Sequence, residues 1–300
     1  MSDILVIGGS GFVSGTLVRT ALAAGHRVWT LTRGQRPGRA GATALVADRR
    51  DPDAFARAIG SAQTQWDLAV DCIGYEPEAA RQDVEVLREK AAHLVFISTD
   101  FVFHPGHRTF PQPEESDHYL NQGYGGKKRL CELELLAADT GAMTWTVVRP
   151  CHIYGPGSLL GCLPKHGRDA DLLDRLRAGE TLQLVGGGHF LQQPILAADL
   201  AELILSTEGN PSAQGQIFGA AGPDIAESRT YYQIIADLLQ VELKVEELPV
   251  DQYLAAHPQS ASFLCHRIYD LARLQSSGLA APATPLVQGL RQHVESLLAQ

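Results

Sequence analysis

The chain of 300 residues lacks the features that mark membrane, secreted and nucleic-acid-binding proteins. No apolar run approaches the roughly 20 residues that span a bilayer, and no basic segment precedes the first apolar run, so we expect neither a membrane span nor a secretory signal. The five cysteines form no C-x-x-C pair. That pattern predicts reduced thiols in the cytoplasm, without a disulfide framework or a metal site. The net charge of −9 argues against general affinity for nucleic acid.

The first half of the sequence alternates strand-like and helix-like segments. The apolar, strand-like runs are 4–9, 27–32, 43–47, 67–74, 93–99 and 144–150. The helix-like stretches are near 12–24, 52–60, 77–91 and 124–138. Short apolar strands that alternate with helices are typical of a parallel sheet covered on both faces. We therefore predict an α/β fold with a doubly wound parallel (Rossmann) sheet.

The pattern is less regular after Pro150. Helical periodicity returns at 169–178, 195–206, 228–240 and 285–298, and 216–222 has the character of one more strand. We predict that residues 1–150 form a nucleotide-binding domain, which about 190–222 completes. Residues 151–186 and 223–300 are then expected to form a smaller substrate-binding lobe over the carboxyl ends of the strands.

A glycine-rich segment, GGSGFVSG, occupies residues 8–15 between the first strand and the first helix. Gly8 permits a tight turn, and Gly11 lets the backbone approach a pyrophosphate at the helix N-terminus. Ser14 stands where the third glycine of the usual pattern would be. The alternative is an ordinary turn, but the strand–turn–helix context favours a dinucleotide. Its predicted contacts in this turn are Gly8, Ser10, Gly11, Phe12 and Val13.

The loop after the second strand is basic. NAD-specific folds tend to place a carboxylate here for the ribose hydroxyls, yet no acidic residue occurs between Arg33 and Ala47. The guanidinium groups of Arg33 and Arg36 suit a 2′-phosphate, so we predict NADP(H), with NAD(H) and a merely solvated loop as alternatives. Asp48 is expected either to meet the adenine amine or to cap the helix that starts near Pro52.

Several motifs together resemble the extended short-chain dehydrogenases/reductases, of the NAD-dependent epimerase/dehydratase type. The resemblance rests on GGSGFVSG (8–15), FISTDFVF (96–103), YGGKK (124–128), VVRPCHIYGPG (147–157), ILAADLAE (195–202) and DLARLQSSGL (270–279). The STDFVF segment is most similar to dTDP-4-dehydrorhamnose reductases. The resemblance implies an NAD(P)-dependent oxidoreductase or epimerase that acts on a hydroxyl or carbonyl of a sugar, nucleotide sugar or similar polar molecule. It also implies cofactor contacts from Cys72, Ile73, Gly74, Lys128 and Pro150.

The family motif Y-x-x-x-K falls on Tyr124 and Lys128. Residues four apart share one face of a helix, whereas Lys127 points roughly 60° away and is expected to be a surface charge. Lys128 would lower the phenol pKa from about 10 and hold the nicotinamide ribose. Tyr124 would transfer a proton to or from the substrate oxygen. Thr99 fits the family's Ser/Thr position and would hydrogen-bond the same oxygen.

Two positions depart from the family pattern. Phe101 replaces the glutamate of the dehydratases, which argues against water elimination. Gln192 replaces an arginine that binds substrate phosphate in many members, which argues against a nucleotide diphosphate substrate.

The loop at 151–167 is the expected substrate loop, and Asp199 is expected to be a structural anchor. The predicted substrate contacts are Thr99, Asp100, Tyr124, His152, Gln192 and Arg267.

Two other functions stay open. One is an NADPH-dependent reductase of an apolar ring substrate. The other is a non-enzymatic, nucleotide-sensing or RNA-associated member, against which the retained Tyr124 and Lys128 and the acidic charge both speak. We expect a small-molecule partner, no nucleic acid and no membrane. The resemblance also allows a homodimer through the helices near 77–91 and 124–138, but the charged residues of 77–91 leave a monomer equally open.

Overall fold

A computed structural model describes residues 1–299 of the chain. The strands are β1 (Asp3–Ile7), β2 (Arg27–Thr32), β3 (Ala42–Val46), β4 (Trp66–Asp71), β5 (Ala91–Ile97), β6 (Thr144–Pro150), β7 (Ile153–Tyr154), β8 (Thr181–Val185), β9 (Leu191–Gln192), β10 (Ile195–Leu196), β11 (Gln216–Ala220), β12 (Ala226–Glu227) and β13 (Lys244–Leu248). The α-helices are α1 (Phe12–Ala23), α2 (Pro52–Ser61), α3 (Pro77–Leu87), α4 (Gly123–Ala137), α5 (Leu172–Arg177), α6 (Ala197–Leu205), α7 (Ser228–Leu239), α8 (Val250–Ala256), α9 (Ala272–Ser276) and α10 (Leu286–Leu298).

Seven strands form one parallel sheet in the order β11-β6-β5-β4-β1-β2-β3. The chain winds outwards from β1 in one direction through β2 and β3, and in the other through β4, β5, β6 and β11. The predicted doubly wound α/β fold is thereby confirmed. The strand order reverses between β1 and β4, and ligands of such sheets bind in the crevice outside the carboxyl ends at that point.

Alternate residues of β1 enter two separate hydrophobic clusters. Ile4 and Val6 pack with α1 and α6 on one face of the sheet. Leu5 and Ile7 pack with α2, α3 and α4 on the other. Because successive side chains of a strand point to opposite faces, a strand buried on both sides must be apolar throughout. This is why the first strand shows no polar alternation in the sequence.

A third hydrophobic cluster lies in the second half of the chain. It joins α5, α7 and α10 to β8, and Tyr231 and Tyr232 are its largest fully buried side chains on α7. The parallel pair β8–β13 was not predicted. Its second strand, KVEEL, is largely exposed and carries three charges, so it lacks the apolar run by which the other strands were found. The predicted division into a nucleotide-binding domain and a substrate lobe stays a prediction.

Helices α3 and α4 lie side by side on one face of the sheet. Arg81 of α3 forms an ion pair with Glu134 of α4 (2.7 Å). Leu130, Leu133 and Leu136 of α4 are each more than two-fifths exposed. A homodimer through these helices stays a prediction. Among residues 1–299, no helix combines the length and the apolar character that crossing a bilayer requires.

The buried imidazole of His93 on β5 makes stability depend on pH. Its two nitrogens hydrogen-bond the hydroxyls of Thr144 (2.7 Å) and Thr146 (3.0 Å), and burial lowers its pKa from 6.5 to about 4. Between these pH values the unfolded chain binds the proton and the folded chain does not, so stability rises with pH through this window and is lost as pH falls. We expect the free energy of unfolding to fall by about 1.4 kcal/mol per pH unit from this group.

Urea unfolding at pH 7, 6, 5 and 4.5 measures this dependence. His93→Gln keeps a hydrogen-bonding side chain but cannot titrate, so its slope between pH 6.5 and 4.5 should be shallower than that of the wild type. Equal slopes would show that His93 is not responsible.

Candidate functional site

The glycine-rich turn connects β1 to α1 at the carboxyl edge of the sheet. Gly8 and Gly9 adopt positive φ angles of 118° and 107°, and a Cβ on Gly9 would lie 2.8 Å from the methyl carbon of Thr30. Glycine is required at Gly9 because side chains neither fit nor favour that backbone. Gly11 precedes α1, and its N–H donates to the Ser14 hydroxyl (3.1 Å). Ser14 thus closes the first turn of the helix at the position where a third glycine is usual.

A large cavity opens beside this turn, and we call it the outer cavity. Its volume is about 960 Å³. It brings together seven predicted cofactor contacts: Gly8, Ser10, Gly11, Arg33, Arg36, Asp48 and Ile73. Of the remaining turn residues, Phe12 lines a neighbouring recess. The seven residues come from the turn after β1, the loop after β2 and the segments after β3 and β4, which meet at one cavity. That they hold a cofactor stays a prediction.

Arginines shape the rim of the outer cavity. Arg36 donates to the backbone carbonyl of Ser10 (3.2 Å), which ties the basic loop to the glycine turn. Arg50 hydrogen-bonds the carboxylate of Asp48 (2.6 Å) and holds the pKa of that acid at about 2. The expectation that Asp48 could cap α2 is wrong, because Asp51 accepts from the N–H of Ala54 (2.9 Å) and is the cap.

Arg49 lines the outer cavity and belongs to an ion cluster that the sequence did not reveal. Arg49 donates to both carboxylate oxygens of Asp71 (2.8 Å each) and to Asp83 (2.9 Å). Asp71 also accepts from the N–H of Ile73 (2.8 Å), and a Cβ on Gly74 would lie 2.2 Å from its other oxygen. The cluster fixes the backbone of 72–74 at the crevice. An aspartate inside the apolar run DLAVDCIG was the available signal.

A second cavity, the inner cavity, has a volume of about 420 Å³. Tyr75 lines both cavities, so the two adjoin. The predicted residues that line it are Val13, Cys72, Thr99, Tyr124, Lys128, Pro150, His152 and Arg267. The lining also includes Phe101 and Phe263, which were not predicted as contacts. Leu163 belongs to the predicted substrate loop at 151–167, and Arg168 follows directly on that loop.

Close backbone contact brings α4 against the segment after β5. A Cβ on Gly125 would lie 2.0 Å from the carbonyl oxygen of Phe101, and one on Gly126 would lie 2.5 Å from the carbonyl carbon of Asn121. Only glycine permits this approach. The two glycines of YGGKK therefore allow Tyr124 and Thr99 to line the same cavity.

Tyr124 and Lys128 sit on one face of α4, as their spacing predicts, but in different surroundings. The Lys128 ammonium is buried and donates to the carbonyls of Gly74 (2.7 Å) and Ile97 (2.6 Å), and burial lowers its pKa against the opposing effect of Asp71. The Tyr124 ring is 51% exposed, and its centroid lies 6.4 Å from that of Tyr75. Lys127 is a half-exposed surface residue that forms an ion pair with Glu76 (2.6 Å).

The expected lowering of the Tyr124 pKa by Lys128 is wrong for this arrangement. Burial, with a further contribution from Tyr75, raises the pKa of Tyr124 to about 12, and a hydrogen bond with Thr99 only partly opposes it. Lys128 instead directs its ammonium to two backbone carbonyls. The phenol is therefore protonated at neutral pH, which suits a proton donor.

Asp100 and Gln192 do not line the inner cavity, so the predicted substrate contacts of both need correction. Asp100 is buried, and its carboxylate accepts hydrogen bonds from Arg267, Tyr269 and Arg108. Burial would raise the pKa of Asp100, but the two arginines outweigh it and hold the pKa below its usual value. Gln192, on the short strand β9, is 1% exposed. The chain's interior encloses both side chains, and no local pattern in the sequence indicates that.

His152, a predicted substrate contact, lines the inner cavity. Burial, helped by the charges of Arg168 and Arg267, lowers its pKa to about 4, so the imidazole is neutral at pH 7.

Asp199 anchors a loop, as predicted, by accepting from the N–H groups of Ala283 (3.0 Å) and Thr284 (2.8 Å).

The thiols near the cavities are not reactive nucleophiles. Burial raises the pKa of Cys162 to about 12 and that of Cys151 well above its usual value. The Cys151 thiol donates to the carbonyl of Gln193 (2.6 Å). Thiolates, not thiols, attack electrophiles, so neither residue is placed for covalent catalysis. Within residues 1–299, no three His, Cys, Asp or Glu side chains come together as a metal site.

Comparison with known proteins agrees with this geometry. The profile of the NAD dependent epimerase/dehydratase family matches residues 4–218. UDP-glucose 4-epimerase of Thermotoga maritima, solved with UDP-glucose, is similar over 99% of both chains with a TM-score of 0.77 and 20% identity. UDP-glucose 4-epimerase of Thermus thermophilus, solved with NAD, is similar over 99% of both chains with a TM-score of 0.75 and 18% identity. At these identities the two structures show a common fold.

One curated relative is chloroplast stem-loop binding protein of 41 kDa b from Arabidopsis thaliana. It is 29% identical over 234 residues, which are 73% of this chain and 58% of that protein. The chain thus spans less than two thirds of the relative's length. The profile match covers most of the chain, and it agrees with the seven-stranded parallel sheet and the glycine-rich turn. The chain belongs to the NAD-dependent epimerase/dehydratase family.

Proposed function

We propose that the protein is an NAD(P)-dependent enzyme that oxidises or reduces a hydroxyl or carbonyl carbon of a small polar molecule. The observation that carries this proposal is that Tyr124, Thr99 and Lys128 line one cavity that adjoins the cavity beside the glycine turn. The adenosine half of the cofactor would occupy the outer cavity, and its pyrophosphate would lie at the N-terminus of α1. The nicotinamide would then reach the inner cavity past Tyr75.

The roles of the three residues follow from their surroundings. Tyr124 would donate a proton to the substrate oxygen, or remove one, while hydride moves between the substrate carbon and the nicotinamide. Thr99 would orient the same oxygen. Lys128 donates to the carbonyls of Gly74 and Ile97 beside the cavity, and its ammonium would also hold the nicotinamide ribose. Charged and hydrogen-bonding groups line the inner cavity together with apolar side chains such as Leu163 and Phe263, so polar substrates are tested first and an apolar ring compound stays the alternative.

Whether the enzyme is a reductase or an epimerase depends on how it uses the cofactor. A reductase exchanges NAD(P)H in each turnover, whereas an epimerase regenerates its cofactor and produces no net redox change. Absorbance at 340 nm during a screen of ketones, aldehydes and sugars separates these reactions. The nucleotide-sugar epimerases among the structural neighbours favour sugars as the first substrates to test.

We expect the phosphorylated cofactors to bind more tightly than NAD and NADH. Arg33 and Arg36 line the outer cavity, and the one carboxylate at its β3 edge, Asp48, is already paired with Arg50. Arg33→Ala should therefore weaken NADPH binding by about tenfold, since a charge-assisted hydrogen bond is lost, and leave NADH binding nearly unchanged. Calorimetric titration with NADPH, NADP, NADH and NAD measures both effects. Tighter binding of NAD than of NADP by the wild type would contradict the preference.

A second candidate function is RNA binding without catalysis. The name of the Arabidopsis relative describes a stem-loop binding protein. In this chain Arg19, Arg36 and Arg39 line a recess beside the glycine turn, which is a local basic surface on an acidic protein. Binding of an RNA stem-loop that weakens steeply with salt and is lost in Arg36→Ala/Arg39→Ala would support this function. Absence of binding at 50 mM salt would exclude it.

A further inference from the structure

A buried cluster beside the inner cavity carries one more positive charge than negative. Asp100 accepts hydrogen bonds from Arg267, Arg108 and Tyr269, and all four side chains are almost fully buried. Two guanidinium groups therefore share one carboxylate. Among residues 1–299, no second carboxylate lies within ion-pair distance of either arginine. Burying a charge without a partner of opposite sign costs free energy. We therefore expect an anion to neutralise the extra positive charge of this cluster.

Arg267 is the member of this cluster that reaches the inner cavity. It lines the cavity, and its guanidinium stacks on the ring of Phe101, 3.9 Å from the ring centroid. Nη2 is engaged by Asp100, whereas Nε and Nη1 have no hydrogen-bond partner in the described part of the chain. Phe101 in turn packs against Tyr124, with 6.3 Å between the ring centroids. Arg267 therefore lies close to the proposed reacting centre and carries two enclosed donors that no group of the described chain satisfies.

A second arginine, which forms no ion pair within residues 1–299, lines the same cavity. The Arg168 guanidinium lies 5.4 Å from the centroid of the Phe12 ring. The lining of the inner cavity includes Lys128 as well, but no aspartate or glutamate. A neutral or cationic substrate would not neutralise the positive charges of Arg267, Arg168 and Lys128. An anion would form charge-assisted hydrogen bonds, which are about twice as strong as neutral ones.

We propose that the substrate carries an oxyanion, a carboxylate or a phosphate, which Arg267 and Arg168 bind within the inner cavity close to the carbon that reacts. This inference rests on the proposed function, because it treats the inner cavity as the substrate site. It differs from recognition of a distant diphosphate, because Arg267 stacks on the same ring, Phe101, that packs against Tyr124. Gln192 stands where many family members have a phosphate-binding arginine. Because Gln192 is buried and does not line the inner cavity, other residues would have to bind the anion.

Inorganic phosphate is the probe for this site. The protein is first saturated with its preferred cofactor, which occupies the glycine turn, and is then titrated with phosphate by calorimetry at constant ionic strength. We expect saturable binding at one site, weakened at least tenfold in Arg267→Gln and in Arg168→Gln. Arg291→Gln, on the exposed side of α10, removes one positive charge elsewhere and should bind like the wild type.

The exposed Arg168 keeps the test decisive if the buried Arg267 variant does not fold. Saturable binding that is undiminished in Arg168→Gln and in any folded Arg267→Gln would overturn the inference, as would absence of saturable binding in the wild type. Glucuronate, glucose 6-phosphate and the neutral amide glucuronamide then distinguish a carboxylate from a phosphate. Phosphate binding requires neither turnover nor Tyr124, so the inference and the proposed reaction can fail independently.

Discussion

Replacing Tyr124 by phenylalanine is expected to lower kcat by about 10²- to 10⁴-fold, the usual effect of losing a general acid or base. The substitution removes one hydroxyl group from a ring that is half exposed, so the fold should not change. The rings of Tyr75 and Phe101 pack against that of Tyr124 and would hold a phenylalanine in the same place. Steady-state turnover of the substrate found by screening measures the effect, and calorimetry should give an unchanged cofactor affinity.

A matched control for this experiment is Tyr253→Phe. Tyr253 lies on α8 and lines neither cavity. The Tyr253→Phe substitution should leave kcat within about twofold of the wild type, as expected for a group that makes no contact with the transition state. If Tyr124→Phe retained full turnover, Tyr124 would have no part in proton transfer, and the assignment of the inner cavity as the reaction site would fall with it.

Replacing Asp100 by asparagine is expected to destabilise the fold by about 3–5 kcal/mol, the usual result of removing one partner of a buried ion pair. The neutral amide would leave Arg267 and Arg108 buried without a carboxylate, and its oxygen could accept hydrogen bonds from the guanidinium groups without neutralising their charge. This loss of stability would show that Asp100 holds the fold together and is not the substrate contact that the sequence suggested. A substrate contact would alter KM and leave stability nearly unchanged.

Urea unfolding at pH 7 measures the loss, with Asp117→Asn as the control. Asp117 is exposed, and no ion pair joins it to another residue of the described chain. Its replacement should change the free energy of unfolding by less than about 0.5 kcal/mol. Equal stability of Asp100→Asn and the wild type would show that the buried cluster does not need its carboxylate.

The sequence was sufficient to predict the elements of the sheet because a strand buried on both faces is apolar throughout. The predicted bounds of β2 and β6 agree with the structure, but β4 and β5 end at Asp71 and Ile97, two or three residues earlier than predicted. Cys72 and Ile73 beyond β4 are apolar, and Ser98 and Thr99 beyond β5 are buried, while the backbone already turns into the crevice. Composition alone does not mark that change, because these residues still pack against the rest of the protein.

The sequence was less informative about which polar residues face a cavity. Spacing places Tyr124 and Lys128 on one helix face, and that placement is found in the structure. Asp100 lies one residue after Thr99, yet the two differ because the chain forms a tight turn at Asp100–Val102 and directs the Asp100 carboxylate to Arg267, 167 residues away. Such pairings depend on tertiary contacts, and local pattern does not encode them.

We expect a nicotinamide dinucleotide to bind across the two cavities, and Gly11 offers the most direct test of this binding. Its φ of −85° suits any residue, and an added Cβ would lie 3.3 Å from the Ser14 hydroxyl, so Gly11→Ala should fold. The methyl group would occupy the space through which the backbone approaches the pyrophosphate. Calorimetric titration of wild type and Gly11→Ala with NADPH and NADH should show binding by the wild type that is weakened at least tenfold in the variant for both cofactors. No binding by the wild type, or equal binding by a folded Gly11→Ala, would contradict the account.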